Sequence, residues 1–285
     1  MDKKKLVNVI GKFGAAHNED IEGLLVKLNF IENNGKYGRL IKSISSANDK
    51  SNFFADVFEA TFAYQFEASN LPLKYEVKQD NTNNSSIDFL RRTNSGISIY
   101  LEARLLQQDY ATTQSIKDQL DANQFYRIAK NGSDEHDAIV RLQNVILSKV
   151  QKKDGTPVKF LTVDDDSVNI VVIEVSELVL GTIDIHDCLL STHGDPYVED
   201  VYRRGIFGLF QQPREEYSEF ILGLAKFYEH IRKTLSGVLF VFKKQYGGFL
   251  DYRLEHYMVW NPNLVDQELA KKVCREISQA VPNRA

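Results

Sequence analysis

The length and composition of the chain describe an ordinary core-forming protein. Its 285 residues can form one large domain or two modest ones. Hydrophobic residues make up 43% and charged residues 26% of the sequence, which excludes a disordered, collagen-like or coiled-coil protein. The net charge of -4 argues against a surface built wholly for nucleic acid, although it leaves room for a local basic cleft.

Cysteine content and hydropathy indicate the compartment. Cys188 and Cys274 are too few and too far apart for a disulfide framework or a Cys-based zinc site, which favours a reducing cytoplasm. The basic start of the chain is followed by an apolar run at residues 6–10, which is too short for a signal peptide and is interrupted by Asn8. No apolar run reaches membrane-spanning length, so we expect no membrane association.

Residues 1–50 are predicted to be a helical N-terminal segment. Apolar residues recur in it at helical spacing: Leu6, Val9, Ile10, Ile21, Leu24, Leu25, Leu28 and Ile31. Asn18, followed by two acidic residues, is typical of a helix start.

Residues 53–175 are predicted to be the core of an α/β domain. Its first helix is marked by aromatic residues at every fourth position: Phe54, Phe58, Phe62 and Phe66. Apolar patterns predict strands at residues 73–79, 87–92, 97–105 and 168–175, and a second helix at residues 134–153. A four-residue turn makes 87–92 and 97–105 a hairpin. This order predicts an α-β-β-β-α-β core with a mixed central sheet.

Residues 176–285 are predicted to be a C-terminal αβ extension of the same sheet, so that residues 51–285 form one domain. Asp195-Pro196 is typical of a helix start, and long helices are predicted at residues 214–235 and 264–280. Strands are predicted at residues 237–242 and 249–260.

Three carboxylates of the core stand out by their positions. Strand alternation places Glu102 and Arg104 on one face of the third strand, and Asp88 lies in the neighbouring strand between two apolar residues. A hairpin that brings Asp88 near Glu102 is costly without a cation between the two carboxylates. Glu59 lies at the edge of the aromatic face of the first core helix, from which it can reach the sheet. The alternative is a solvated sheet face on which Glu102 and Arg104 form a surface ion pair.

Lys149 is an unusual cation in the second core helix. It shares its side of the helix with Leu142 and Val145, so it borders an apolar surface. A lysine can also lie along such a surface with its ammonium group in water. The sequence leaves both interpretations open.

The residues in this order resemble the PD-(D/E)XK nuclease superfamily, which has a restriction-endonuclease-like fold. That superfamily has an α-β-β-β-α-β core, an Asp on the second strand and Glu-x-Lys on the third, and many members add a Glu on the first helix. The matching positions are Glu59 in Phe58-Glu59-Ala60, Asp88 in Ser86-Ile87-Asp88-Phe89, and Glu102-Ala103-Arg104. The resemblance covers residues 53–175, less than half of the chain.

This sequence departs from the family pattern at two positions. Ile87 stands where the name-giving proline is often found, a variation that the superfamily tolerates. Arg104 stands in the lysine position, and its guanidinium is planar, bulkier and effectively never a base. Three alternatives remain open: Arg104 provides the electrostatic part of the role, Lys149 replaces the motif lysine, or the site has lost catalysis.

The resemblance implies a nuclease, most simply an endonuclease acting on DNA, that depends on Mg²⁺ or Mn²⁺. Asp88 and Glu102 would bridge the metal, the Ala103 carbonyl would add a ligand, and Glu59 would act directly or through water. Arg104 and Lys149 would face the phosphate. A limited basic surface would bind the nucleic acid, with candidates Arg91, Arg92, Arg203, Arg204, Lys243 and Lys244.

The competing hypothesis is a catalytically silent nuclease-like domain that binds nucleic acid or a partner protein. The acidic net charge and the missing motif lysine favour it, whereas the presence of Glu59, Asp88 and Glu102 favours the enzyme. A nuclease of this kind could act in restriction, repair or defence. The sequence does not distinguish DNA from RNA as the substrate, and it leaves a homodimer open.

Other candidate residues have weaker patterns. His186 and His193 are predicted to lie in a loop with three aspartates, where an ordinary polar loop is favoured over a metal site. Tyr110 and Tyr246 are candidates for stacking on bases, with core packing as the alternative.

Overall fold

The computed structural model describes residues 1–14, 17–78, 85–107, 114, 118, 134–160, 162–176, 183–199, 204–245 and 250–284. Over these residues the chain forms nine helices and six strands. In chain order the elements are α1 (Lys3–Gly11), α2 (Asn18–Asn33), α3 (Gly38–Ser45), α4 (Lys50–Ala68), β1 (Lys74–Val77), β2 (Ile87–Arg92), β3 (Ser98–Leu105), α5 (Asp134–Val150), β4 (Ser167–Glu174), α6 (Ile185–His193), α7 (Glu219–Phe227), α8 (Glu229–Thr234), β5 (Gly237–Gln245), β6 (Tyr252–Trp260) and α9 (Gln267–Ala280).

The first three helices confirm the predicted helical character of residues 1–50. α1 begins after Asp2, whose carboxylate accepts a hydrogen bond from the amide of Lys4. Buried residues such as Leu24 pack in one hydrophobic cluster with Phe62 of α4 and Leu101 of β3. The helical segment therefore shares its core with the sheet, and the division at residue 50 stays a prediction.

α4 places an aromatic face on the sheet. Phe58, Phe62 and Phe66 are each at most 1% exposed, and burying such a side chain contributes about 1.5–3 kcal/mol. Phe54, predicted as the first ring of this face, is only half-buried, and the neighbouring Phe53 is buried instead.

The sheet has the strand order β1-β2-β3-β4-β5-β6. The pairs β1–β2, β2–β3 and β5–β6 are antiparallel, whereas β3–β4 and β4–β5 are parallel. The predicted mixed sheet and the α-β-β-β-α-β order are both confirmed, as α4-β1-β2-β3-α5-β4. The extension also adds β5 and β6 to the same sheet, as predicted.

Helices cover both faces of the sheet. One cluster joins α1–α4 and α9 to residues such as Leu101 and Ala103 of β3, and the other joins α5–α8 to residues such as Val171 of β4. β4 lies in the middle and is buried from Val168 to Glu174, because both of its faces are covered. Since Glu102 alternates with Leu101 and Ala103, its side chain is directed toward the layer that contains α5.

The prediction of one helix over residues 214–235 is wrong. Ser218 is extended, and its amide donates to Glu199 Oε1 at 2.6 Å, so α7 begins only at Glu219. A second interruption at Tyr228 separates α7 from α8. The last helix also begins later than predicted, because Asp266 caps it by accepting from the amide of Leu269 at 2.7 Å.

The region around Asp195 also differs from its prediction. No helix begins at Asp195-Pro196, and α6 precedes it. His186 and His193 therefore lie in a helix rather than in a loop. The reason is a capping box in which Asp184 and Asp187 each accept from the other's backbone amide. No helix in the described ranges is both long and apolar enough to cross a membrane.

Candidate active site

Asp88 lies where the β2–β3 ladder ends. The recorded pairs run from Arg92 opposite Ser98 to Phe89 opposite Leu101. Just beyond them, the amide of Ala103 donates to Asp88 Oδ2 at 2.8 Å. The Asp88 side chain therefore replaces a backbone carbonyl as the acceptor for the Ala103 amide at the end of the ladder.

Glu102 is the most buried carboxylate of the site. Its residue is 0% exposed. Glu102 Oε1 accepts from Lys149 Nζ at 2.6 Å and from Lys159 Nζ at 2.5 Å. Glu102 Oε2 is buried and has no hydrogen-bond partner among the described residues. Two ammonium groups thus balance one end of the carboxylate, and the other end remains unsatisfied.

The two lysines come from different structural contexts. Lys149 lies in the last turn of α5, so the helix directs it to Glu102. Lys159 lies between α5 and β4, outside any helix or strand, and its Nζ is also 3.9 Å from Asp88 Oδ1. The amide of Val158 donates to the Val150 carbonyl at 3.0 Å. This hydrogen bond holds the segment before Lys159 next to the C-terminal end of α5. Lys159 is the cation that lies near both strand carboxylates.

The local electrostatics are dominated by burial and mutual repulsion. Burial and the neighbouring Glu102 raise the pKa of Asp88 from its ordinary 3.8 to about 6, although Lys159 and Lys149 oppose this rise. The pKa of Glu59 is raised well above its usual range, first by burial and then by the Asp88 carboxylate. Glu59, on the helix that packs on the other face of the sheet, is therefore electrostatically coupled to the strand carboxylates.

The structure thus brings Asp88, Glu102 and Lys149 together, with Glu59 within electrostatic range. Arg104 is exposed on the same face of β3 as Glu102, and its side chain makes no hydrogen bond or ion pair with the described residues. The surface ion pair between Glu102 and Arg104 is therefore wrong, because Glu102 is buried and bound by two lysines.

Sequence reasoning missed Lys159. The signal that could have found it is local: Val158 and Phe160 flank this lysine, and a turn with Gly155 and Pro157 precedes it. A lysine between two apolar residues just after a turn is placed like Lys149, at the border of an apolar surface.

The donor set determines which metal the site can hold. No group of three His, Cys, Asp or Glu side chains within the described part of the chain is arranged to hold a metal ion. Mg²⁺ does not need such a cage, because it commonly binds through one or two carboxylates and keeps several waters. The unsatisfied oxygen of Glu102 and the elevated pKa of Asp88 are both features that a bound cation would relieve. Asp88 and Glu102 are two carboxylates of this kind.

Four of the six residues of the predicted basic surface have carboxylate partners in the protein itself, and the binding of nucleic acid by this surface stays a prediction. The pairs are Arg91 with Glu276 at 2.7 Å, Arg204 with Asp187 at 2.6 Å, Lys243 with Glu174 at 3.7 Å, and Lys244 with Glu255 at 2.5 Å. Arg92 is exposed, and Arg203, Tyr110 and Tyr246 lie outside the described residues. Most of these cations therefore pair with the protein's own acidic side chains.

The fold and site define an α/β protein with a buried cluster of carboxylates and lysines. No family model matches the sequence, and no curated protein matches it. Among solved structures, the chain is similar to SfsA from Pyrococcus furiosus in complex with Ca²⁺, at 12% identity and a TM-score of 0.21. The alignment covers 70% of this chain and 61% of the SfsA chain.

Proposed function

We propose that this protein is a divalent-metal-dependent nuclease that hydrolyses phosphodiester bonds in DNA. The observation that carries the proposal is the convergence of Asp88 and Glu102, from neighbouring strands, on the ammonium of Lys159. Their order in the α-β-β-β-α-β core and the electrostatic coupling of Glu59 to Asp88 support it. A phosphodiester substrate fits because hydrolysis needs both oxygen ligands for a hard cation and positive groups near the phosphate.

Each residue has a role that follows from its position. Asp88 and Glu102 would hold Mg²⁺ or Mn²⁺, with the Ala103 carbonyl as a further ligand and Glu59 acting through water. When bound, the ion stabilises negative charge on the phosphate and lowers the pKa of a bound water. Lys149 holds Glu102 in position, and we place Arg104 against the phosphate because it is exposed on the Glu102 face.

The silent nuclease-like domain remains the second candidate, because two observations favour it. Two lysines already balance Glu102, and four of the six expected nucleic-acid-binding cations pair with the protein's own carboxylates. Under this alternative the cluster only stabilises the fold, and the domain binds nucleic acid or a partner protein. A homodimer stays a prediction under either candidate.

The test is cleavage of plasmid and linear DNA by the purified protein with Mg²⁺ or Mn²⁺. Asp88→Asn and Glu102→Gln remove a carboxylate charge with little change in volume, and we expect each to reduce cleavage at least about a hundredfold. Asp165→Asn is the matched control, since Asp165 is exposed in the segment before β4, and it is expected to retain full activity.

Calorimetric titration with Mn²⁺ separates the two candidates. The nuclease is expected to bind Mn²⁺ in the wild type and the Asp165→Asn variant and to lose this binding in Asp88→Asn. Cleavage that persists in both Asp88→Asn and Glu102→Gln would show that these residues are not the active site. Absence of Asp88-dependent Mn²⁺ binding would favour the silent domain.

A further inference from the structure

The Lys159 ammonium lies within ion-pair distance of both strand carboxylates, the two groups that a shared cation would also need. Its Nζ is 2.5 Å from Glu102 Oε1 and 3.9 Å from Asp88 Oδ1. We propose that the Lys159 ammonium is an intramolecular competitor of the divalent ion and leaves these carboxylates when the ion binds. This inference rests on the proposed function, because it assigns a second cation to the same site.

The hydrogen bonds of the carboxylates support direct competition. Asp88 Oδ2 is held by the amide of Ala103 at 2.8 Å, so Oδ1 is the Asp88 oxygen that faces the ammonium. Lys159 Nζ therefore lies in ion-pair range of the Asp88 oxygen that accepts no hydrogen bond from the described residues. Asp88 and Glu102 would hold the ion, and a divalent ion and an ammonium group beside the same carboxylate oxygen would repel each other.

Only one of the two lysines is placed to compete in this way. Lys149 is fixed in α5, and its ammonium pairs with Glu102 and with no other carboxylate among the described residues. Both lysine side chains are exposed to a similar extent, but Lys159 belongs to no helix or strand, so no element fixes its direction and its ammonium can rotate toward water. Lys149 can keep its bond to Glu102 while the ion replaces Lys159.

Charge balance explains why a competitor is present at all. Glu59, Asp88 and Glu102 bring three carboxylates into electrostatic range of one another, and buried charges of one sign destabilise a fold unless cations are near. Lys159 stabilises the site without a metal ion, and releasing it lowers the affinity for the metal. The cluster would therefore favour metal binding when a phosphate can accept the released ammonium.

Calorimetric titration of Mn²⁺ into metal-stripped protein tests the competition. Lys159→Met is expected to bind Mn²⁺ at least about tenfold more tightly than the wild type, because no ammonium needs to leave. Lys149→Met is the matched control, since it removes the same charge from the same Glu102 oxygen but has no contact with Asp88. We expect its gain to be several times smaller, and equal gains in both variants would overturn the proposal.

A second measurement uses the wild type and does not depend on how the variants fold. In ¹⁵N-detected spectra of the lysine ammonium groups, Lys149 and Lys159 are expected to give protected signals in metal-free protein. Saturation with Mg²⁺ is expected to remove the protection of Lys159 and to leave that of Lys149. Retention of both protected signals at saturation would refute the competition.

The outcomes separate this inference from the proposed function. If Mn²⁺ binds in an Asp88-dependent way but Lys159→Met binds it no more tightly, only the competition is wrong. If none of the wild type, Lys149→Met and Lys159→Met binds Mn²⁺, both the nuclease and the competition are wrong.

Discussion

Replacing Asp88 with asparagine is expected to stabilise the fold at neutral pH in the presence of a chelator. Burial and the neighbouring Glu102 raise the pKa of Asp88 from 3.8 to about 6. This rise corresponds to about 3 kcal/mol of unfavourable free energy when the carboxylate is ionised. Asparagine keeps an acceptor for the Ala103 amide, but its own N–H groups face the ammonium of Lys159, so we expect a net gain of about 2 kcal/mol.

The pH dependence of this gain has a definite sign. A carboxyl group whose pKa is higher in the folded than in the unfolded state stabilises the fold when it is protonated. The contribution of Asp88 is therefore fully present below 3.8 and is lost as the pH rises through about 6. The Asp88→Asn variant should be about 2 kcal/mol more stable than the wild type above about pH 7 and slightly less stable, by under about 1 kcal/mol, at about pH 4, because only the wild type gains stability as Asp88 is protonated.

Urea unfolding followed by circular dichroism, at about pH 4 and about pH 7.5 with chelator, measures this difference. Asp165→Asn is the control, and its free energy of unfolding should change little at either pH because Asp165 is exposed. An Asp88→Asn variant that is less stable than the wild type at neutral pH would refute the reasoning. It would mean that the lysines compensate the Asp88 charge more than burial and Glu102 oppose it.

Two further predictions concern residues outside the site. Glu67 accepts hydrogen bonds from Tyr37 Oη at 2.7 Å and from the Leu73 amide at 3.0 Å, so Glu67→Ala is expected to lower the free energy of unfolding by about 2 kcal/mol. Glu22→Ala, which removes an exposed ion pair with Lys3, should leave urea unfolding unchanged, and an equal loss in both variants would contradict the prediction. Cys188 is fully buried, and burial raises the pKa of its thiol, so a thiol reagent should label it only after unfolding. Labelling of the native protein should be confined to the half-buried Cys274, and modification of Cys188 at the same rate would show that the core opens.

The core elements could be predicted because their patterns are periodic. β2 lies at the predicted residues 87–92, and β4 could be identified as doubly covered because it is a continuous β-branched run. Alternation along β3 correctly placed Glu102 and Arg104 on one face, but it gave no measure of depth. Glu102 is fully buried and Arg104 is exposed, because α5 covers the face at Glu102 and contributes Lys149 there.

The remaining errors arise from partners that are distant in the sequence. Arg91 reads as a free basic residue, yet its partner Glu276 lies on α9, 185 positions further along the chain. The apolar neighbours of Lys159 mark it as a residue at the border of an apolar surface, but it follows a turn outside every periodic segment, so the sequence does not indicate which carboxylates it approaches. The start of α6, by contrast, is predictable from local sequence, because Asp184 and Asp187 have the three-residue spacing of a capping box.

The hydrogen bond from Ala103 to Asp88 gives one carboxylate two separate duties. Besides its proposed role in metal binding, Asp88 accepts a backbone hydrogen bond of the interior strand β3. Ala103 is 2% exposed, so its N–H would otherwise lack an acceptor. Asp88→Ala would leave the Ala103 N–H without an acceptor. Loss of activity in that variant could then come either from a destabilised strand or from the missing carboxylate. Asp88→Asn keeps an oxygen that can accept this hydrogen bond, so it tests the contribution of the negative charge separately.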